Sequence, residues 1–165
     1  MKRTLTAVLT IGVLVSLIGC SGGSEPIASA SADRRIALEK ENTQAFVNSI
    51  YSAVPRDLIA AKRQMPSGSL VSCASGDQWA GHGEMKIADG KTVRQVFDAL
   101  RSSGSFQDWR LELDTNGEGE PRLSFLGAEG SAVLLSSFDD GTKLQVNSFS
   151  RCMVFADDFI PGGSY

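Results

Sequence analysis

His82 is the only histidine of the 165-residue chain, so any mechanism that needs an imidazole base must use it. It stands between Gly81 and Gly83, with no serine, cysteine or carboxylate at a spacing that implies a relay. A polar residue on an irregular strand edge is the plainer reading, and no catalytic residue is assigned. Zinc takes three or four His, Cys or carboxylate ligands, and one histidine does not begin such a set when the cysteines are engaged elsewhere. Asp114-Thr115-Asn116-Gly117-Glu118-Gly119-Glu120 matches the D-x-N-x-E-G start of a calcium loop. Phe125 stands where the bidentate glutamate belongs, and the flanks alternate as strands, so this segment reads as an acidic hairpin turn. The run after Asp89-Gly90 lacks the phosphate-loop pattern G-x-x-x-x-G-K-[ST]. No metal or cofactor is implied. Trp109 alternates with core positions, whereas Trp79 lies beside the glycine-flanked histidine; Trp79 and His82 are the candidates for a ligand or partner surface.

The first twenty residues carry a sharper signal. Lys2 and Arg3 precede an uncharged run over 4–17 rich in Leu, Val and Ile, the charged start and apolar middle of an export signal. At 1.5 Å per residue the run covers about 21 Å of a roughly 30 Å hydrocarbon core, which favours cleavage over a membrane span. It ends in Leu17-Ile18-Gly19-Cys20, which resembles the bacterial lipobox. That resemblance implies a signal peptide over 1–19, diacylglyceryl attachment through a thioether to the Cys20 sulfur, and cleavage just before Cys20. Two acyl chains give stable anchoring where one gives only marginal binding.

The same resemblance resolves an odd cysteine count. With Cys20 lipidated, Cys73 and Cys152 remain as an even pair in an oxidising compartment, and a disulfide between them is expected, the alternative being two buried thiols. Such a bridge closes a loop of about 80 residues, worth up to roughly 4 kcal/mol in the chain-entropy picture. The formal charge is −3, and loss of Lys2 and Arg3 makes the remainder more acidic. Neither nucleic acid nor an anionic bilayer surface is a natural electrostatic partner for such a chain.

The elements that must hold these residues follow from periodicity. Residues 21–32 are small and polar and read, with Cys20, as a lipidated flexible tether. Ile36, Phe46, Val47, Ile50 and Val54 predict an amphipathic helix of about five turns from Asp33 to Pro55. Residues 57–64 predict a second short turn of helix, with Arg56, Lys62 and Arg63 on a solvated face. Strands are predicted over 70–73 and 79–87, the second interrupted by a bulge or irregular edge at 81–83. Val93, Val96, Phe97 and Leu100 sit at i, i+3, i+4 and i+7 of a helix that ends at Gly104. Four alternating strands follow as a meander, the last running to Cys152 and on through Met153-Val154-Phe155, where the bridge would clip it to the first strand.

The expected fold is therefore α+β: an antiparallel sheet of about five or six strands with two amphipathic helices on one face and one disulfide. The domain spans 33–156, and 157–165 is a loose tail. This order of elements, with V-R-x-V-F-x-x-L-R-x-x-G over the second helix, is similar to a broad group of small actinobacterial lipoproteins of unassigned function. The resemblance implies a fold and an envelope location and brings no catalytic residue. The functional expectation is a lipid-anchored, extracytoplasmic, non-enzymatic binding or structural protein whose partner is unidentified. The alternative is a carrier holding a lipid or other hydrophobic ligand between the long helix and the sheet.

Overall fold

A computed structural model describes residues 25–156, 159 and 162–165. The signal sequence, the lipobox and Cys20 lie outside the described residues. The chain is α+β: α1 (Glu25–Ala53), β1 (Ile59–Gln64), β2 (Ser69–Cys73), β3 (Gly76–Ile87), α2 (Val93–Ser102), β4 (Arg110–Thr115), β5 (Pro121–Leu126), β6 (Ala132–Phe138) and β7 (Lys143–Phe149). All seven strands join one antiparallel sheet of order β1-β3-β7-β6-β5-β4, with β2 also paired to β3. The chain leaves β3 through α2, enters the far edge at β4, and returns strand by strand until β7 pairs with β3. Among the described residues no helix is long and apolar enough to cross a membrane.

α2 forms as its spacing predicts. Val93, Val96, Phe97 and Leu100 are buried, and a reciprocal capping box closes its start. There Gln95 N donates to Thr92 Oγ1 at 3.3 Å, and Thr92 N donates to Gln95 Oε1 at 2.9 Å. Both bonds satisfy backbone groups that a helix end leaves unpaired. The meander also forms, and β6 and β7 show the predicted alternation: Val133, Leu135, Leu144 and Val146 point toward the helices, whereas Leu113 on the edge strand β4 is exposed. The inward residues meet Val47 and Ile50 of α1, Val54 just after it, and the buried stripe of α2 in one core. Each fully buried side chain of this kind is worth about 1.5–3 kcal/mol.

Three expectations are corrected. Residues 59–64 form a strand, not a helical turn: β1 pairs with β3 from Ile59↔Ile87 to Gln64↔Gly83. Ala, Lys, Arg and Gln favour helix only weakly, by tenths of a kcal/mol, and pairing to an open strand edge outweighs that preference. The sheet consequently has seven strands, and Cys73 ends the second strand rather than the first. α1 begins at Glu25, so residues 25–32 of the expected tether are helical, and Ala32 is already buried. Finally, β7 ends at Phe149, and the chain beyond it crosses to β3, with Met153 N donating to Asp77 O at 2.7 Å. The final residue is held as well: Gly68 N donates to Tyr165 O at 2.8 Å and Tyr165 N to Gly68 O at 3.0 Å.

The segment expected to be an irregular edge lies in the middle of the sheet. His82 pairs with Asn147 and Gly83 with Val146, while β1 and β2 occupy the opposite edge of β3. The glycines are required by what approaches them. A Cβ on Gly81 would fall 2.2 Å from Cη2 of Trp79, and one on Gly83 would fall 2.3 Å from the Tyr51 hydroxyl oxygen. Trp79 is fully buried and has no room to retreat. Gly81→Ala should therefore lower stability by about 1–3 kcal/mol, the usual cost of overpacking. A urea titration should show an earlier midpoint, and a smaller loss when the same change is made in a Trp79→Leu chain; an unchanged midpoint would contradict this packing.

Candidate functional site

Trp79 and His82 share β3 but not a face, because side chains alternate along a strand and the two positions differ by an odd number. Trp79 points to the helix side, fully buried in a small cluster with Ile36 and Met153. His82 is exposed on the opposite face, where Nδ1 lies 3.0 Å from Asn147 Oδ1. An amide oxygen only accepts, so Nδ1 carries the proton in that pair. The two do not form one surface. His82's hydrogen-bond partner is the side-chain amide of Asn147.

The two faces differ in character. The open face carries Arg63, Glu84, Lys86, Gln145 and Lys143, with Arg63 3.4 Å from Glu84. On the covered face a second, smaller core is separate from the main one: Ile36, Trp79 and Met153, closed by partly buried Leu70, Phe155, Phe159 and Tyr165. Between the cores runs a polar seam of buried Glu39 and Thr43 on α1 and buried Ser148 and Ser150 at the end of β7. Thr43 Oγ1 donates to Glu39 O at 2.6 Å, and Ser150 Oγ accepts from Trp79 N at 2.9 Å. Arg151 reaches Glu39 through two nitrogens and Glu129 through a third at 3.4 Å. The seam is thus tied from the helix to the sheet by one guanidinium.

Beside it, Cys73 and Cys152 form the disulfide, with Cα atoms 6.0 Å apart and 79 positions between them in sequence. The bridge fastens the end of β2 to the segment just beyond β7.

Further openings lie away from the seam. A groove of about 510 Å³ between α1 and the α2–β4 connection is lined by Phe46, Ser49, Ser52, Phe106, Asp108 and Trp109. Trp109 stacks on Phe46 at 3.7 Å between ring centroids, as packing expected, and the groove beside the pair had no sequence signal. A wider cleft of about 910 Å³ at the start of α2 is lined by Lys86, Lys91, Arg94 and Lys143 and by Asp89, Glu120, Asp139 and Asp140. Its charges balance, and Lys91 and Lys143 already hold Asp57 at 2.8 Å and Asp139 at 2.9 Å. These lysines keep both carboxyls below the usual range, first through the hydrogen bond and then through charge. On the main core, burial and then the Glu84 carboxylate push the Tyr51 phenol up to about 12, so it stays a donor and bonds Arg63 O at 3.0 Å.

The acidic run 114–120 is a hairpin turn. Asn116 Oδ1 accepts from Glu118 N at 3.0 Å and Glu120 N at 2.9 Å, which uses the side chain a calcium loop would turn on the ion. Asp114 is paired bidentately with Arg122 at 2.9 and 2.7 Å. Among the described residues no group of three His, Cys, Asp or Glu could hold a metal. Comparisons with protein families, curated proteins and solved structures return no match to this chain.

The Asp114–Arg122 pair makes a pH prediction. The hydrogen bond from Arg122 lowers the folded carboxyl's pKa, so the pair contributes at neutral pH and is lost as pH falls through that lowered value. Asp114→Asn should be slightly less stable than the parent at pH 7, and the gap should close below the ordinary carboxylate range. Urea midpoints at the two pH values check this, and a gap that widens in acid would contradict it.

Proposed function

We propose that the protein is a lipid-anchored cell-envelope protein with a non-enzymatic binding or structural role, attached to the outer face of the cell membrane through Cys20. The observation that carries this reading is Leu17-Ile18-Gly19-Cys20 at the end of a charged, then apolar, leader. The Cys73–Cys152 bridge supports it, since a disulfide persists in an extracytoplasmic setting and leaves Cys20 as the one cysteine for lipid. The helical start at Glu25 keeps the link from Cys20 to the folded domain short, so the domain would sit close to the bilayer.

A non-enzymatic role is supported by the placement of the polar groups. His82 is held by an amide on an open, flat face, and the acidic turn is closed on itself. Among the described residues no helix covers that face, whose side chains include Arg63, Glu84, Lys86, Lys143 and Gln145, and an envelope partner could dock there. A carrier site between the long helix and the main sheet core is disfavoured, because Val47, Ile50, Val54, Met85, Leu144 and Val146 belong to one buried cluster there.

The anchor is tested in cells with an alkyne fatty-acid label and membrane fractionation. The parent chain should be labelled and sediment with membranes, whereas Cys20→Ala should be unlabelled and released. An unlabelled parent, or a Cys20→Ala chain that still partitions with membranes, would overturn the reading.

A further inference from the structure

Ser137 is only 2 % exposed, on the inward row near the end of β6, and its hydroxyl makes no hydrogen bond to any described residue. A buried hydroxyl without a partner forfeits its hydration, and native interiors rarely leave one so. Ser137 lines the wide cleft of about 910 Å³, so a molecule held in that cleft is what can complete it. Gly141 of the β6–β7 turn passes beside it: a Cβ there would lie 3.9 Å from Ser137 Oγ. The start of α2 forms another wall, where the capping box takes up Thr92 N and Gln95 N. Of the first-turn donors this leaves Val93 N and Arg94 N, and both residues line the cleft. A hydroxyl and two backbone N–H groups are donors for a carboxylate, which the positive end of a helix also favours.

The turns on the remaining side carry carboxylates. Lys143 holds Asp139 at 2.9 Å, whereas Glu120 and Asp140 make no ion pair with any described residue. We propose that this cleft binds a short peptide as a zwitterion, with its free C-terminal carboxylate on Ser137 Oγ and the α2 N–H groups and its free ammonium on the Glu120 and Asp140 carboxylates. Both charges of the ligand are used. An anion alone would meet Asp89, Glu120 and Asp140 without compensation, and a cation alone would leave the Ser137 hydroxyl unpaired. On the α2 side Lys91 and Arg94 add positive charge, although Lys91 already holds Asp57 at 2.8 Å and Arg94 stands 3.8 Å from Asp98. A volume of about 910 Å³ suits a drug-sized ligand and exceeds what a single amino acid fills. This site goes beyond the reading of an anchored protein and draws nothing from Cys20.

Isothermal titration calorimetry of the full chain with trialanine tests this. Trialanine should bind saturably, and N-acetyl-trialanine and trialanine amide, each lacking one charge, should bind about tenfold more weakly, the share of one hydrogen-bonded charge. Ser137→Ala removes a hydroxyl that holds nothing in the fold, so its urea midpoint should match the parent's. That variant should bind trialanine and N-acetyl-trialanine several-fold more weakly and trialanine amide as the parent does. Glu120→Gln combined with Asp140→Asn should weaken trialanine and leave N-acetyl-trialanine unchanged, which reads the ammonium end without touching Ser137. L-Alanine should bind more weakly than trialanine. The proposal is overturned by the absence of saturable trialanine binding, by equal affinity for the free and blocked peptides, by L-alanine binding more tightly than trialanine, or by either variant binding trialanine as well as the parent. None of these outcomes depends on lipid at Cys20, so the anchor and this site fail separately.

Discussion

The packing of Trp79 against backbone that carries no Cβ decides most of the architecture. β3 pairs with β1, β2 and β7, and its inward row reads Trp79, Gly81, Gly83, Met85, Ile87. The large residues at its two ends each serve a separate core, and the two glycines between them let the Trp79 ring and the Tyr51 hydroxyl come down to the strand. A strand with ordinary side chains at 81 and 83 would push both away. α1 would then lose its seat on the sheet at the middle of its length.

The same constraint explains why a polar seam is tolerated inside the domain. Where α1 passes over the glycines it presents Glu39 and Thr43, and β7 presents Ser148 before the chain turns at Ser150. Buried polar groups are costly unless paired, and here Arg151 and local backbone satisfy Glu39 and Thr43. Arg151 and the disulfide lie next to each other in sequence, so one short segment ties helix, sheet and β2 together. The seam divides the interior into a large core that holds the fold and a small one closed by the end of the chain.

Local pattern was enough wherever one face of an element is apolar and the other wet. The α2 stripe and the alternation of β6 and β7 were legible for that reason, whereas Leu113 of β4, expected inward, is exposed; the Cys73–Cys152 pair followed once Cys20 was set aside. Residues 59–64 were not legible, because their composition favours helix and only the open edge of β3 makes them a strand. Gly81 and Gly83 looked like a fault in a strand, since the groups that need the space, Trp79 and Tyr51, reach them only through tertiary packing. Residues 25–32 looked like a tether because small residues give no periodic signal, yet they are helical and Ala32 is buried. The pairing of Trp79 with His82 as one surface was avoidable from sequence: an odd spacing along a strand places them on opposite faces.

The domain holds two separate cores, and β3 contributes to both. Native-state hydrogen exchange in low urea measures this directly, since it resolves local openings from global unfolding. The account predicts that amides of the β3–β7 ladder exchange only through a large, urea-dependent global opening. Gly68 and Tyr165 should exchange through a smaller opening of lower free energy and weak urea dependence. If all of these amides lose protection together, with one free energy and one urea slope, the interior is a single cooperative core and the account is wrong.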